Sequence, residues 1–280
     1  MATLGENRYG KSRVRVMKVV RHATHHDMKE WNVRVLLHGD FETCFTVGDN
    51  SKILPTDTMK NTVYYLARES SATTLEDFAT ELVDYLLANN PQVTKASAEI
   101  EEKNWNHLPV DGAPHPTTYK LGGAELHTTE VSRERNGALK VTSGIDGLVI
   151  LKTTKSAFTG YIKDKLTTLP ESTDRIFATR ATIAWEYDTP PTSYESARSS
   201  ALAALLKVFA DHDSLSVQHT LYDMGKAALA AVPEAARITL TMPNVHCLLV
   251  DLSRFGQTNP NQIFVPTDEP SGYIEAVIER

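Results

Sequence analysis

One order of elements (strand, strand, helix, helix, strand, strand) is legible twice along this chain, and that repetition restricts the fold more than any single motif. In the first pass, Arg13-Val14-Arg15-Val16-Met17-Lys18-Val19 and Asn32-Val33-Arg34-Val35-Leu36-Leu37 alternate with period two. Half-buried antiparallel strands do this. The polar segment His22-Ala23-Thr24-His25-His26-Asp27 between them is predicted to be a hairpin tip. One helix is predicted from about Thr58 to Glu69. A second opens at Thr74, whose hydroxyl caps it with Asp77 three residues on. Its apolar positions Leu75, Phe78, Leu82 and Leu86 share a face. Ala96 to Ile100 returns to period two, a strand expected to end at Asn104-Trp105-Asn106-His107. A further extended region covers Tyr119 to Val131.

Asn136-Gly137 is a strong hairpin signal, and near it the order restarts. Leu148-Val149-Ile150-Leu151 is predicted to be a buried strand. Ala181, Ile183, Trp185 and Tyr187 alternate along the next, which Pro190-Pro191 closes. A long helix carries Leu202, Leu205, Leu206 and Phe209 on one predicted face, and another surrounds Leu221, Met224 and Leu229. Ile238 to Met242 alternates strictly, and His246 to Leu252 is expected to complete the repeat. Two modules follow, 1–136 and 137–280, the second with an insert around Tyr161 to Glu171. Each is α+β, an antiparallel four-stranded sheet with two helices on one face. Such a sheet keeps free edges and a bare face, so oligomerisation is expected from the architecture itself.

The repeat has a chemical echo. Thr56-Asp57 with Lys60, and Thr173-Asp174 with Arg175, each set a Thr-Asp step beside a cation. A hydroxyl, a carboxylate and a cation held together can grip a small polar heterocycle. The surrounding chain is 41% hydrophobic and 23% charged, which suits a packed core and not disorder. Its net charge of −6 argues against a nucleic-acid partner. Cys44 and Cys247 are the only cysteines, as in a reducing compartment without a disulfide framework. No apolar run reaches the roughly 18 residues of a membrane span. Neither an apolar signal-peptide core nor a C-terminal Ser-Lys-Leu address is present. A cytoplasmic setting without a membrane partner is expected.

Gly122-Gly123 and Gly144-Ile145-Asp146-Gly147 lack the spacing of a phosphate-binding loop. No Cys-x-x-Cys or His-Glu-x-x-His zinc pattern occurs. His22, His25, His26 and Asp27 have metal-ligand chemistry, but ligands on a short hairpin rarely converge, so a solvated tip is expected. Each remaining candidate has a bland reading. Lys11, after Tyr9-Gly10, is by itself a surface lysine. Thr56 and Gln218 can serve helix starts. Arg175 can pair with Asp174 or Glu171, Phe158 can be core, and His246 can be an ordinary histidine.

Taken in order, however, these pieces resemble the urate oxidase (uricase) family. The matching stretches begin with Tyr9-Gly10-Lys11, Thr56-Asp57 with Lys60-Asn61-Thr62, and Leu148 to Lys152 followed by Phe158. They continue through Lys163 to Leu169 with Thr173-Asp174-Arg175, then Ser216-Val217-Gln218 with Leu221-Tyr222-Asp223-Met224. They end with Pro243-Asn244-Val245-His246, Phe255-Gly256-Gln257, Asn259-Pro260-Asn261 and Phe264. The match covers almost the whole chain and is weakest between about Thr94 and Ser132.

The resemblance implies the tunnelling fold, two modules per subunit, and a barrel-like homotetramer with active sites at subunit interfaces. It implies oxidation of urate by dioxygen and water to 5-hydroxyisourate and hydrogen peroxide, with no metal and no organic cofactor. Arg175 and Gln218 would then clamp opposite edges of the purine, a guanidinium fork on the anionic edge and an amide on the other. Phe158 would stack on the ring, and Val217, Leu169 and Ile274 would line the pocket. Thr56 and Asp57 would enter from the neighbouring subunit. Lys11, Thr56 and His246 would relay protons, and Asn244 would hold dioxygen and then the attacking water. Two rivals stand beside this reading. One is another tunnelling-fold enzyme acting on a pterin or purine, usually through a glutamate anchor and often with zinc. The other is a non-catalytic purine-binding protein.

Overall fold

The computed structural model describes residues 2–280. The chain forms two compact units. The first holds residues up to Gly144 together with Glu186–Glu195, and the second holds Ile145–Trp185 with Ser196–Arg280.

In the first unit, β1 (Tyr9–Arg21) and β2 (His26–Gly39) precede three helices, α1 (Glu42–Thr46), α2 (Thr56–Glu69) and α3 (Leu75–Asn89). Then come β3 (Val93–Val110) and β4 (Ala113–Glu134). The strands lie in chain order, each antiparallel to the next. Alternation puts Trp31, Val33, Val35 and Leu37 of β2 on one face with Ala96, Ala98 and Ile100 of β3, and all are buried. Met59 and Val63 of α2 cover them with Phe78, Leu82 and Leu86 of α3, and Phe78 stacks on Trp31 at 4.7 Å. Burying each large side chain of this kind contributes about 1.5–3 kcal/mol. Thr74 caps α3 as expected. Its oxygen accepts from the Asp77 amide at 3.2 Å, and its hydroxyl donates to the Asp77 carboxylate at 2.6 Å.

The other face of this sheet carries charge in place of a second apolar layer. Asn32 meets Glu101 and Arg34 meets Glu99 across β2 and β3. Glu30 accepts from Lys103 at 2.7 Å, Trp105 Nε1 at 2.9 Å and Arg15 at 3.1 Å. Lys103 above all holds the Glu30 carboxyl below the usual carboxylate range. A depressed carboxyl adds stability that is present above its unfolded-state pKa and lost as pH falls through the lower folded value. Glu30→Gln is therefore expected to be less stable than the parent near pH 7, with the gap closing in acid. Denaturant melts at both pH values read this, and a gap that persists in acid would contradict it.

The hairpin of β3 and β4 is longer than its sequence suggests. β3 does not end at Asn104–His107 but continues to Val110. The chain turns through Asp111 and Gly112, at φ 51° and 81°. A two-residue turn with both φ positive matches the twist of the strands it joins, which is why Asp-Gly stands there.

β5 (Lys140–Lys152) begins in the first unit and runs into the second. It is followed by β6 (Phe177–Tyr187), α4 (Tyr194–Asp211), α5 (Val217–Ala231), β7 (Ala235–Thr241), β8 (Asn244–Leu249), β9 (Phe264–Thr267) and β10 (Glu275–Glu279). The sheet order is β5-β6-β7-β10. Its fourth strand is thus β10, paired with β7 from Glu275↔Thr241 to Glu279↔Arg237, and not the segment after His246. Pro243 offers no amide to the β7 ladder. The chain leaves there, and β8 pairs with β6 at Ala178↔Val245 and Thr179↔Asn244, then with β9.

Two further expectations change for one reason. Helices cover a single face, so β5 buries Leu148 while Val149 and Leu151 are 51% and 52% exposed. In α4 the buried stripe is Ala197, Ala201, Leu205 and Phe209, spaced by four, and Leu206 points outward. Among the described residues, no helix is long and apolar enough to cross a membrane.

Candidate active site

Lys11, Thr56 and Asp57 lie in the first unit, and Tyr9 organises them. Its ring packs edge-on to Phe41 at 4.7 Å. Its hydroxyl oxygen accepts from the Leu54 amide at 2.8 Å, and the hydroxyl donates to the Leu54 carbonyl at 3.1 Å. That pair pins the chain just ahead of Pro55 and Thr56 against the start of β1. Gly10 follows because nothing larger fits: a Cβ there would lie 1.9 Å from the Val35 carbonyl oxygen. Gly10→Ala is expected to cost about 1–3 kcal/mol, read as a lower melting temperature. An unchanged melt would refute the close approach of β1 to β2.

Lys11 stands at a bulge, where pairing with β2 skips from Lys11↔Val35 to Val14↔Val33 and Arg13 takes φ 58°. Bulges re-aim the side chains around them. Thr56 is the first residue of α2, and Pro55 holds the cap position. The capping role open to Thr56 is therefore not the one it plays, and the residue is exposed. Asp57 is bonded by Lys60 and by Asn61 Nδ2 at 3.1 Å. Lys60 first, and Lys11 more weakly, keep its carboxyl below the usual range. Lys11 is thus within electrostatic reach of Asp57, and the first Thr-Asp-cation group is one cluster.

The remaining candidates lie in the second unit, on the excursion between β5 and β6, on α5, and around β8. Phe158 and Ser172 exchange backbone hydrogen bonds of 2.7 and 3.1 Å, and the Arg175 amide donates to the Ser156 carbonyl at 2.8 Å. Ala157 and Lys155 are tied in turn to Ser214. One backbone mesh therefore fixes Phe158, Arg175 and the approach to α5. Ser216 caps that helix, its hydroxyl oxygen accepting from the His219 amide at 3.1 Å. Val217 and Gln218 are then the first helical residues, not caps. Val217 is buried and Gln218 exposed.

The bland pairings open to Arg175 are not made. Asp174 accepts from the Thr154 hydroxyl at 2.7 Å and the Ser156 amide at 3.2 Å, while Glu171 pairs with Lys163 at 2.9 Å. Among the described residues no ion pair engages Arg175, whose guanidinium carbon lies over the Phe158 ring, 5.2 Å from its centroid. Burial pushes its pKa down, the mark of a cation losing solvent. A half-buried guanidinium leaning on an aromatic face, without an ion pair of its own, is poised for an anionic ligand.

Asn244 adds a second unmet demand. The β6–β8 pairing sets it opposite Thr179, just downstream of Arg175. Its amide donates to the Gly272 carbonyl at 3.1 Å, and the Met242 amide donates to the Ile274 carbonyl at 2.7 Å. Asn244, Gly272 and Ile274 are thereby gathered. Asn244 Oδ1 is buried and has no hydrogen-bond partner, a state that costs stability unless a ligand or water uses it. His246 lies two positions along β8, partly buried and opposite Thr267 on β9. Leu169 is 52% exposed. Its carbonyl accepts from the Tyr161 hydroxyl, and the Tyr161 ring stacks on Phe158 at 4.7 Å. Tyr161 escaped the sequence reading because its contact with Phe158 depends on how the loop folds back, which no residue spacing encodes.

Known proteins resemble this chain in sequence and in fold. A family model described as Uricase matches residues 7–132 and 141–275, and so covers both repeats. A uricase of Arthrobacter globiformis is 40% identical over 279 residues, spanning 99% of this chain and 90% of the relative. Uricase-2 isozyme 1 of Canavalia lineata is 42% identical over 300 residues, spanning 98% and 95%. A crystal structure of uricase from Arthrobacter globiformis aligns with a TM-score of 0.94 at 38% identity, covering 100% of this chain and 96% of that one. Urate oxidase from Bacillus sp. TB-90, at 23% identity and a TM-score of 0.84, shares the fold over 98% of this chain and 100% of its own. The α+β organisation in two tandem tunnelling-fold modules is the one these structures have. With sequence and backbone matched from end to end, the chain belongs to the uricase family.

Proposed function

We propose that this chain is a urate oxidase, converting urate, dioxygen and water to 5-hydroxyisourate and hydrogen peroxide. The observation that carries the reading is Arg175, a half-buried cation held over Phe158 with no ion-pair partner. Urate is planar and anionic, and a guanidinium fork gives such an edge two parallel charge-assisted bonds. Gln218 takes the opposite edge, where its amide supplies both a donor and an acceptor. Phe158 stacks on the ring, and Val217, Leu169 and Ile274 line the pocket. Asn244, with its unpartnered Oδ1, positions dioxygen and then the water that adds to the oxidised purine.

Urate gives up two electrons and dioxygen accepts them, so protons must leave the substrate and reach the peroxide. Lys11, Thr56 and His246 serve as the relay. A lysine beside a hydroxyl lowers that hydroxyl's proton affinity, and a histidine accepts and returns protons near neutral pH. The preorganised cationic pocket stabilises the charge that develops on the oxygen. In this account neither a metal ion nor an organic cofactor takes part. The Arg175 and Gln218 pair also sets it apart from pterin-binding relatives anchored by glutamate. The setting is cytoplasmic, and the modules divide at the Asn136-Gly137 turn into 1–136 and 137–280.

Thr56 and Asp57 reach the purine from a neighbouring subunit of a homotetramer. The half-exposed Val149, Leu151, Leu248, Val265 and Val277 of the second unit are apolar surface that such neighbours would cover. Two impaired variants, Thr56→Ala and Arg175→Ala, assayed at urate well below the affinity of the arginine variant, are therefore expected to complement each other when co-expressed. Random assembly leaves about a quarter of the sites with both intact residues, and urate consumption with peroxide release should return to about that level. No recovery in mixed assemblies would place both residues in one chain, and intact urate with the parent protein would overturn the activity itself.

A further inference from the structure

A second cluster of ligand-bearing side chains lies outside the machinery just described. His212 follows α4, while His219 and Asp223 stand one turn apart on α5. We propose that His212, His219 and Asp223 bind one divalent transition-metal ion of the zinc, cobalt or nickel type. Asp223 Oδ2 is 3.3 Å from His212 Nε2 and 3.9 Å from His219 Nε2, and the three ligand atoms all lie within 4.8 Å of one another. A tetrahedral ion with bonds of about 2.1 Å sets its ligand atoms about 3.4 Å apart. The cluster is already close to that spacing.

The neighbours also hold the ligands in the orientation a metal needs. The Thr220 hydroxyl, on a fully buried residue, lies 3.2 Å from His212 Nδ1. With that nitrogen engaged, Nε2 is turned toward Asp223. Lys226 lies 3.4 Å from the other carboxylate oxygen of Asp223, Oδ1, so Oδ2 is the one left to face both imidazoles. Outer contacts of this kind orient first ligands in metal sites. Two imidazoles and one carboxylate suit zinc, cobalt or nickel better than the oxygen-seeking magnesium or calcium. Three protein ligands leave a position for water.

The hairpin group, by contrast, is less prepared. His22, His25 and Asp27 do converge, which the sequence reading did not expect, but all three are exposed. His22 Nε2 sits 2.9 Å from Asp27 Oδ2, a hydrogen-bond length, and His25 faces the other carboxylate oxygen at 3.8 Å. The α5 cluster is hard to see in sequence because its ligands are not contiguous. Its signal was His219 and Asp223 one turn apart on a helical face, with His212 one loop away.

The test uses untagged, metal-stripped protein carrying His22→Ala and His25→Ala, titrated with Co2+ and followed by the ion's visible absorption. One Co2+ per chain is expected, displaced by Zn2+. His219→Ala and Asp223→Asn, each checked for folding by circular dichroism, should abolish binding. Thr220→Val should weaken it about tenfold. Urate turnover in the stripped protein should be unchanged, because none of the three ligands belongs to the relay or the clamp. Loss of all Co2+ binding in the hairpin variant would overturn the proposal, as would full binding after His219→Ala or Asp223→Asn.

Discussion

Arg175→Ala should weaken urate binding by about 30-fold or more while leaving the fold almost untouched. The two halves of that expectation come from one fact. The guanidinium has no ion-pair partner within its own unit, only the face of Phe158 at 5.2 Å, and such a contact is worth about 0.5–1 kcal/mol at a partly open site. Its removal therefore costs the folded state little. In the proposed clamp, the same group would face the urate anion as a hydrogen-bonded charge pair. Truncating one member of a buried, hydrogen-bonded charge pair costs about 2–5 kcal/mol. Arg175→Lys keeps the charge but loses the fork, so it should fall between. Calorimetric urate affinity and thermal melts of the three proteins give both readings. An alanine variant that binds urate normally, or that melts far below the parent, would assign Arg175 to the scaffold instead.

The second large effect belongs to turnover. Thr56→Ala and Lys11→Ala should each lower kcat by about 100- to 10,000-fold, the range of a general acid–base contribution, with little change in KM. Neither residue is a clamp. Lys11 is set by the bulge after Gly10, and Thr56 by the Tyr9 anchor to Leu54. As members of the proposed relay both would move protons, which matters in the transition state and not in binding. Two members of one relay act as a unit, so on this proposal the double variant should fall little below the worse single one. Steady-state kinetics decide this. A rise in KM at constant kcat, or fully additive losses, would remove them from the relay.

Much of this was legible in sequence because local physics set it. Period-two alternation in Val33, Val35 and Leu37 gave their burial correctly, and Thr74 caps α3 as its chemistry demands. What escaped depended on partners distant in the chain. Leu148 to Leu151 reads as a buried run, yet only one face of β5 is covered, and an apolar run does not say how many layers surround it. The fourth strand of the second sheet was placed too early because β8 is extended in either pairing, and only tertiary register decides between β7 and β6. Asp111-Gly112 is a strong turn signal, yet Pro109 and Pro114 beside it argue against strand, so the hairpin's length is not evident from residue type. In the site, residue types were readable but their freedom was not. Whether Arg175 is paired with Asp174 or left open depends on Thr154 and Ser156 occupying that carboxylate.

The central claim is that the side chains of this protein alone carry the oxidation. The most direct measurement is an oxygen and peroxide balance during urate consumption by protein stripped of metals and held in chelator. Urate lost, dioxygen consumed and peroxide formed should be equal, at the same rate as without chelator. Urate that survives, or whose loss stops when chelator is present, would contradict the account.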